Sequence, residues 1–219
     1  MLRFTKKIQP LLLVIFLITS AGCASVTPNA YKEVPSASFL QPDSKDKHVP
    51  YQYAANVVWQ NYSKMLIRPV IIYPGEDHQF DDISDEDKAS LAKFMQTTFA
   101  EKFATRFTIV TTPGPETLEL QLHLTGAEKN TPVLSTLSRF DIAGGLYNTT
   151  QAVRGGEGSF TGSVLYVAEV YDSKTGQLLK AIVTKQYPNP WNLGASMGGL
   201  AAAKTGVEKG AEALLEEFK

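Results

Sequence analysis

Hydrophobic and polar positions alternate along part of this chain and recur at helical spacing along another part. Residues 118–125 alternate strictly, which predicts a strand with one buried face and one polar face. Residues 65–73 are apolar on both faces, as in a covered strand, but Pro69 cannot donate to a ladder and predicts an edge or a bulge. A helix over about residues 85–105 is predicted by one face formed by Leu91, Phe94, Met95, Thr98, Phe99 and Phe103.

Turn residues separate these elements. Ser84 is a favourable N-cap, and the three acidic residues after it complement the positive end of the predicted helix. A Pro-Gly-Pro turn at 113–115 lies between a short strand at 107–111 and the alternating segment, so 107–125 is predicted to be a hairpin.

The C-terminal half continues with two more strands, at 159–171 and 177–184. Asp172 and Gly176 flank the turn between them, which is typical hairpin chemistry. A last helix is predicted from a shared apolar face formed by Val207, Ala211, Leu214, Leu215 and Phe218. The sum is a single α+β domain. It has a mixed β-sheet of about five strands, a long helix after the first strand, and a C-terminal helix packed on one face.

The first 23 residues have the pattern of an export signal. A positive start is followed by the apolar run 11–18, which is too short to cross a bilayer and ends in small residues before Cys23. This resembles the bacterial lipobox, in which the cysteine becomes the acylated N-terminus, although Ser20 stands where the pattern prefers leucine. The alternative is an ordinary secretory signal with a cysteine there by chance. By resemblance to enterobacterial sorting, Ala24 favours the outer membrane.

The predicted organisation is therefore a lipoprotein signal peptide at 1–22, a lipidated N-terminus with a flexible tether at 23–50, and a periplasmic domain at 51–219. The tether is predicted because residues 24–50 are rich in Ser, Pro, Asp and Lys and carry few large apolar groups. We expect the inner leaflet of the outer membrane, with the domain facing the periplasm.

Charge and cysteine content exclude several classes of function. The signal holds three of the 21 Lys and Arg residues and none of the 22 acidic ones, so the remaining chain has a net charge of 18 − 22 = −4. This argues against nucleic acid or an anionic membrane surface as the main partner. With Cys23, the only cysteine, used for lipidation, the domain has neither a disulfide nor a catalytic thiol.

Two patterns could indicate chemistry, and the residues favour a simpler interpretation of each. Residues 194–198 match G-x-S-x-G around Ser196, but a nucleophile elbow needs a preceding buried strand and a later histidine, and neither is predicted, so the match is assigned to chance. His78 lies among Asp77, Asp81 and Asp82, which could bind a metal, but their spacing fits no known motif and predicts a solvated acidic loop. No catalytic, cofactor or metal site is predicted.

The remaining histidines and several aromatic residues are candidates for contacts with a ligand. His123 falls on the polar face beside Glu119 and Gln121, which predicts a surface histidine, and His48 falls in the tether. The glycine-rich insert at 144–158 is either a mobile loop or a binding loop. Its contact-prone residues are Tyr147, Arg154 and the following Phe160, while Trp59 and Trp191 could stack on a small-molecule or glycan ligand.

Several modest motifs occur together in a fixed order. They are Tyr62 before Leu66-Ile67 and Pro69-Val70, the long helix, Val133-Leu134 ahead of the glycine-rich insert, and Gly162 leading to the run 172–178. In this order the chain resembles the proteobacterial lipoprotein family catalogued as domain of unknown function thirty-three thirteen, over about residues 35–218. The resemblance implies no activity, cofactor or catalytic residue.

The predicted function follows from the anchor and from the lack of a credible catalytic set. We expect a non-catalytic envelope lipoprotein that binds a protein partner, with no cofactor and no nucleic acid. The alternative is a binder of a small-molecule or glycan ligand.

Overall fold

Three long, buried strands form the centre of the sheet in the computed structural model, which describes residues 26–80, 82–130, 148–152, 157, 162–192 and 198–219. Their side chains alternate between two covered faces, which is why nearly every position in them is buried. The strands are β1 (Gln41–Pro42), β2 (Tyr51–Ala54), β3 (Lys64–Ile67), β4 (Ile71–Ile72), β5 (Thr108–Val110), β6 (Thr117–Glu128), β7 (Ser163–Asp172) and β8 (Leu178–Gln186).

The sheet is mixed, with the order β1-β2-β8-β7-β6-β3-β5, and β4 also pairs with β6. The pairs β1–β2, β2–β8, β8–β7 and β7–β6 are antiparallel. By contrast, β3 and β4 run parallel to β6, and β5 runs parallel to β3. The α+β class with a mixed sheet is confirmed. The expected number of about five strands is too low, because five of the eight strands have only two to four residues, and β1, β2 and β4 among them leave no periodic pattern of their own in the sequence.

Pro69 interrupts the strand predicted at 65–73. The ladder stops at Ile67 and resumes at Ile71, so one predicted strand is two short ones on the same neighbour, β6. Proline has no N–H to donate to the ladder. The N–H of the next residue, Val70, donates to the side-chain oxygen of Gln96 instead, at 2.9 Å.

The hairpin predicted over 107–125 is wrong. β5 and β6 lie on opposite sides of β3 and both run parallel to it, so Lys64 is in register with Thr108 on one side and with Thr117 on the other. Periodicity reports which face a side chain takes, but it does not report which strand is the neighbour.

The two long helices pack on one face of the sheet. Helix α1 (Asp85–Phe103) begins as predicted at Ser84, whose side chain accepts a hydrogen bond from the Asp87 N–H at 3.1 Å. Helix α2 (Ala201–Glu216) approaches β8 closely at Gly206, where a Cβ atom would lie 2.6 Å from the Gln186 carbonyl oxygen. Buried residues of both helices share one core with the strands. No helix in the described ranges combines the length and apolarity needed to cross a membrane.

The segment before β2 covers the other face. Residues 26–50 were predicted to belong to a flexible tether, but Tyr31, Val34 and Leu40 are buried in a second core together with Val167 and Val183 of the sheet. The correction has a simple cause, because three well-placed apolar side chains suffice to dock a segment whose average composition is polar. We call residues 29–42 the N-terminal strap.

Candidate functional site

A buried carboxylate lies beneath the N-terminal strap. Glu169 of β7 has no exposed surface, and the register of β6 and β7 places it on the face away from the helices, opposite Gln121. His123 of β6 lies diagonally beside it, with 3.1 Å between His123 Nε2 and Glu169 Oε2. An isolated buried charge is costly, so these two side chains must be satisfied by one another and by their surroundings.

The strap supplies one of the hydrogen bonds that the buried carboxylate needs. The backbone N–H of Ser36 donates to Glu169 Oε1 at 2.7 Å, a contact between residues 133 positions apart in the chain. The Tyr171 hydroxyl donates to Glu169 Oε2 at 2.9 Å from the same face of β7. Glu169 therefore binds the strap, the neighbouring strand and its own strand at once. We call Glu169, His123, Ser36 and Tyr171 the carboxylate cluster.

Burial and hydrogen bonding act on the pKa of Glu169 in opposite directions. Burial alone would raise it, but the hydrogen bonds from His123 and Ser36 and the attraction of His123 outweigh burial, so the pKa of Glu169 lies below its ordinary value. Burial raises the pKa of Tyr171, and the adjacent negative charge of Glu169 raises it further. The carboxylate is therefore ionised at neutral pH and Tyr171 keeps its proton.

The first turn of the strap is held by a second set of polar contacts. Tyr31 donates to Gln79 Oε1 and Tyr73 donates to Asp77 Oδ1, both at 2.7 Å, while the two tyrosine rings meet edge to face with centroids 5.3 Å apart. The second Asp77 oxygen accepts from the Lys32 N–H at 3.1 Å. Tyr31 has φ of 45°, a left-handed conformation that costs about 1–2 kcal/mol for a residue with a side chain. The contacts around its ring outweigh that cost.

A buried lysine fixes the chain ahead of the strap. Lys185 of β8 is 3% exposed, and its Nζ lies 2.9 Å from a carboxylate oxygen of both Glu128 and Glu157. The same ammonium group donates to the Val26 carbonyl oxygen at 3.0 Å. The ammonium group thus has three oxygen atoms within 3.0 Å, and one of them is the main-chain carbonyl oxygen of Val26.

The arrangement immobilises a chain segment and leaves no space at Glu169 for a substrate. The strap covers Glu169, and the partner of His123 is Glu169 and not a serine, threonine or cysteine side chain. Within the described ranges, no group of three or more His, Cys, Asp or Glu side chains is arranged to hold a metal ion. Asp77, considered above as a metal ligand, binds the strap instead, and the His78 ring packs on Phe80 with centroids 5.4 Å apart.

The prediction for His123 is wrong, since this histidine is 5% exposed and not at the surface. The strap covers it, and the strap was missed because its composition is polar. His48 was also placed in the tether, yet its Nδ1 lies 3.1 Å from the Lys185 carbonyl oxygen and its ring packs on Tyr187. Glu169 had a detectable signal, because it is a single carboxylate within the otherwise apolar run 164–170.

The two tryptophans do not come together. Trp59 packs edge to face on Phe218 with centroids 4.9 Å apart, whereas Trp191 is 42% exposed near the end of β8. Cys23, Asp81, Tyr147, Arg154, Phe160 and Ser196 lie outside the described residues.

Comparison with known proteins gives one family and a few distant structures. No curated protein matches the chain. It is similar to a leucine-to-methionine variant of the PelC dodecamer from Paraburkholderia phytofirmans, with 12% identity and a TM-score of 0.37 over 72% of this chain and 89% of that one. It is also similar to a second crystal form of the PelC dodecamer from that organism, with 12% identity and a TM-score of 0.36 over 72% of this chain and 92% of that one. The family model described as protein of unknown function (DUF3313) matches residues 30–214, well over half of the sequence, and the chain therefore belongs to this family.

Proposed function

We propose that this protein is a lipid-anchored lipoprotein of the cell envelope, which faces the periplasm and binds a protein partner there without catalysing a reaction. The signal-like start that ends at Cys23 supports the anchor, since a cysteine that carries several acyl chains attaches stably to a bilayer. Ala24 after the cysteine favours the outer membrane.

One observation carries the accessory role. The most deeply buried charges of the described sheet, Glu169 and Lys185, both bind main chain between Cys23 and β1. A catalytic carboxylate needs access to a substrate, whereas Glu169 is closed off by the segment that it holds. The arrangement suits a domain whose N-terminus carries a membrane attachment.

Metabolic labelling tests the anchor. Cells that express the full chain are fed an alkyne analogue of palmitate, and the wild-type protein is compared with Cys23→Ser. We expect label and outer-membrane density only for the wild type. Equal labelling of the two proteins, or none in either, would refute lipidation at Cys23.

Cross-linking in intact cells tests the partner. We expect one envelope protein to be captured recurrently by photo-reactive side chains on the exposed surface of the domain, and Cys23→Ser to lose that capture. A pattern with only lipid adducts would contradict the accessory role. Hydrolysis of generic esters that disappears in Ser196→Ala would contradict the absence of catalysis.

Binding of a small-molecule or glycan ligand is the second candidate function, and it is favoured by a depression in the protein surface. It has a volume of about 230 Å³ beside β8 and α2, and its lining includes His48, Tyr187, Pro188 and Pro190, next in sequence to the exposed Trp191. Aromatic rings beside polar groups are common in ligand pockets. Saturable quenching of tryptophan fluorescence by an oligosaccharide, lost in Trp191→Ala, would support this candidate.

A further inference from the structure

The first docked residue lies close in sequence to the proposed anchor. Val26 is bound through its carbonyl oxygen to Lys185, and the carbonyl oxygen of Thr27 accepts from Gln79 Nε2 at 2.9 Å. Asn29 adds two more bonds to the domain, at 2.9 Å and 2.8 Å. Three peptide steps separate Cys23 from Val26, and a chain of that length spans at most about 10 Å.

This reach is short compared with the domain. A folded domain of this length has a radius of gyration of about 16 Å, so the molecule cannot rotate its far end towards a bilayer that holds Cys23. A free tether over 24–50 would instead have an average end-to-end distance of roughly 29 Å and would permit any orientation. The docking of residues 26–50 removes that freedom.

One surface must then face the lipid headgroups. Val26 lies in the wall of a shallow depression of about 390 Å³, whose rim also includes Thr27, Ser44, Lys47 and Gln151. We infer that this membrane-facing rim lies against the phosphates of the bilayer and that the protein is held in a single orientation, an inference that rests on the proposed lipidation of Cys23.

The loop at the rim offers two lysine side chains to lipid phosphates, beside two aspartates. Asp43 Oδ1 accepts from the Lys45 N–H at 2.8 Å and Asp46 Oδ1 accepts from the His48 N–H at 2.7 Å, so both carboxylates are engaged by their own loop. Lys45 and Lys47 are exposed, and the described residues offer their ammonium groups no ion pair. The loop carries no net charge, but the exposed ammonium groups of Lys45 and Lys47 are available to lipid phosphates.

The opposite end of the sheet supplies a matched control. The turn between β7 and β8 lies towards the far end of both strands from Lys185, about 24 Å away along the seven residue steps from Leu165, which pairs with Lys185, to Asp172. Lys174 is exposed in that turn, and its main-chain N–H is held by Asp172 Oδ1, so its side chain can be changed without disturbing the fold.

Fluorescence quenching tests the orientation. The acylated full chain is reconstituted in vesicles of phosphatidylethanolamine and phosphatidylglycerol that contain a lipid with a nitroxide on its headgroup. A thiol-reactive fluorophore is placed at Lys47→Cys or at Lys174→Cys, because the acylated Cys23 has no free thiol. We expect the label at 47 to lose most of its fluorescence and the label at 174 to lose little.

An insertion tests the cause. About twenty glycine and serine residues between Cys23 and Val26 would extend the average reach to roughly 25 Å, and the difference between the two labels should then disappear. Equal quenching without the insertion would overturn the inferred orientation. A difference that survives the insertion would overturn the short connection as its cause. If alkyne-palmitate labelling shows no acylation, the proposed anchor fails and this inference fails with it, whereas acylation with equal quenching refutes the orientation alone.

Discussion

Replacement of Glu169 by alanine should detach the N-terminal strap from the sheet. The carboxylate accepts hydrogen bonds from Ser36 at 2.7 Å and from Tyr171 at 2.9 Å, and it lies 3.1 Å from His123 Nε2. The substitution removes all three contacts and leaves His123 covered without its partner. It also creates a cavity under the strap, because the glutamate side chain has no exposed surface.

The magnitude follows from the groups that lose their partner. Each buried hydrogen-bonding group left unsatisfied costs about 1–3 kcal/mol, and the Ser36 N–H and the His123 side chain are two such groups, so the loss should be about 3–5 kcal/mol. A urea m-value of about 2 kcal/mol/M would convert this into a fall of roughly 2 M in the unfolding midpoint. The strap should also become susceptible to protease between residues 29 and 42.

Glu119→Ala is the matched control. Glu119 lies on the same face of the sheet but is partly exposed, and it pairs with Arg68, at 2.8 Å. A solvent-exposed pair contributes about 0–1 kcal/mol, so this variant should unfold close to the wild type. Urea unfolding of both variants in detergent gives the comparison. A Glu169→Ala midpoint within error of the Glu119→Ala midpoint would refute the role of the carboxylate cluster.

Three further predictions concern pH and the helix-side core. The pKa of Glu169 is lowered from 4.5 in the folded protein, so the contribution of Glu169 to stability is present above pH 4.5 and is lost as the pH falls through the lowered pKa. Urea unfolding midpoints measured between pH 6 and 3 should therefore fall more steeply for the wild type than for Glu169→Gln. Parallel curves for the two proteins would contradict this prediction. The Tyr166 hydroxyl is buried and finds no hydrogen-bond partner in the described part of the chain, so Tyr166→Phe should leave the free energy of unfolding unchanged or raise it by about 1 kcal/mol. Gly210→Ala places a Cβ 2.1 Å from that hydroxyl and should lower the free energy of unfolding by about 1–3 kcal/mol. Thermal unfolding should show a smaller loss of stability when Tyr166→Phe is also present.

The sequence predicts the elements whose patterns are long. Helix α1 was expected over 85–105 and is observed over Asp85–Phe103, and β7 and β8 begin and end within a few residues of the prediction. Nineteen helical residues with a strong N-cap provide many independent indications of one structure.

Short elements and distant partners were not predictable in the same way. β1 and β4 have two residues each, and they exist because a neighbouring strand offers unpaired backbone groups. The carboxylate cluster joins Ser36, His123 and Glu169, which are far apart in sequence. A single sequence contains each of these residues but not their contacts, so the buried pair became visible only in the fold.

The strap also constrains the order in which the chain can fold. The strap is joined through Ser36 to Glu169, and the chain just ahead of it is joined through Val26 to Lys185, across 133 and 159 positions. Contacts of such long range form slowly because a large loop must close first. The N-terminal residues are synthesised first, yet they can find their binding surface only after β7 and β8 have been synthesised. The N-terminal segment must therefore remain undocked until most of the chain has been synthesised, and its docking is a late step of folding.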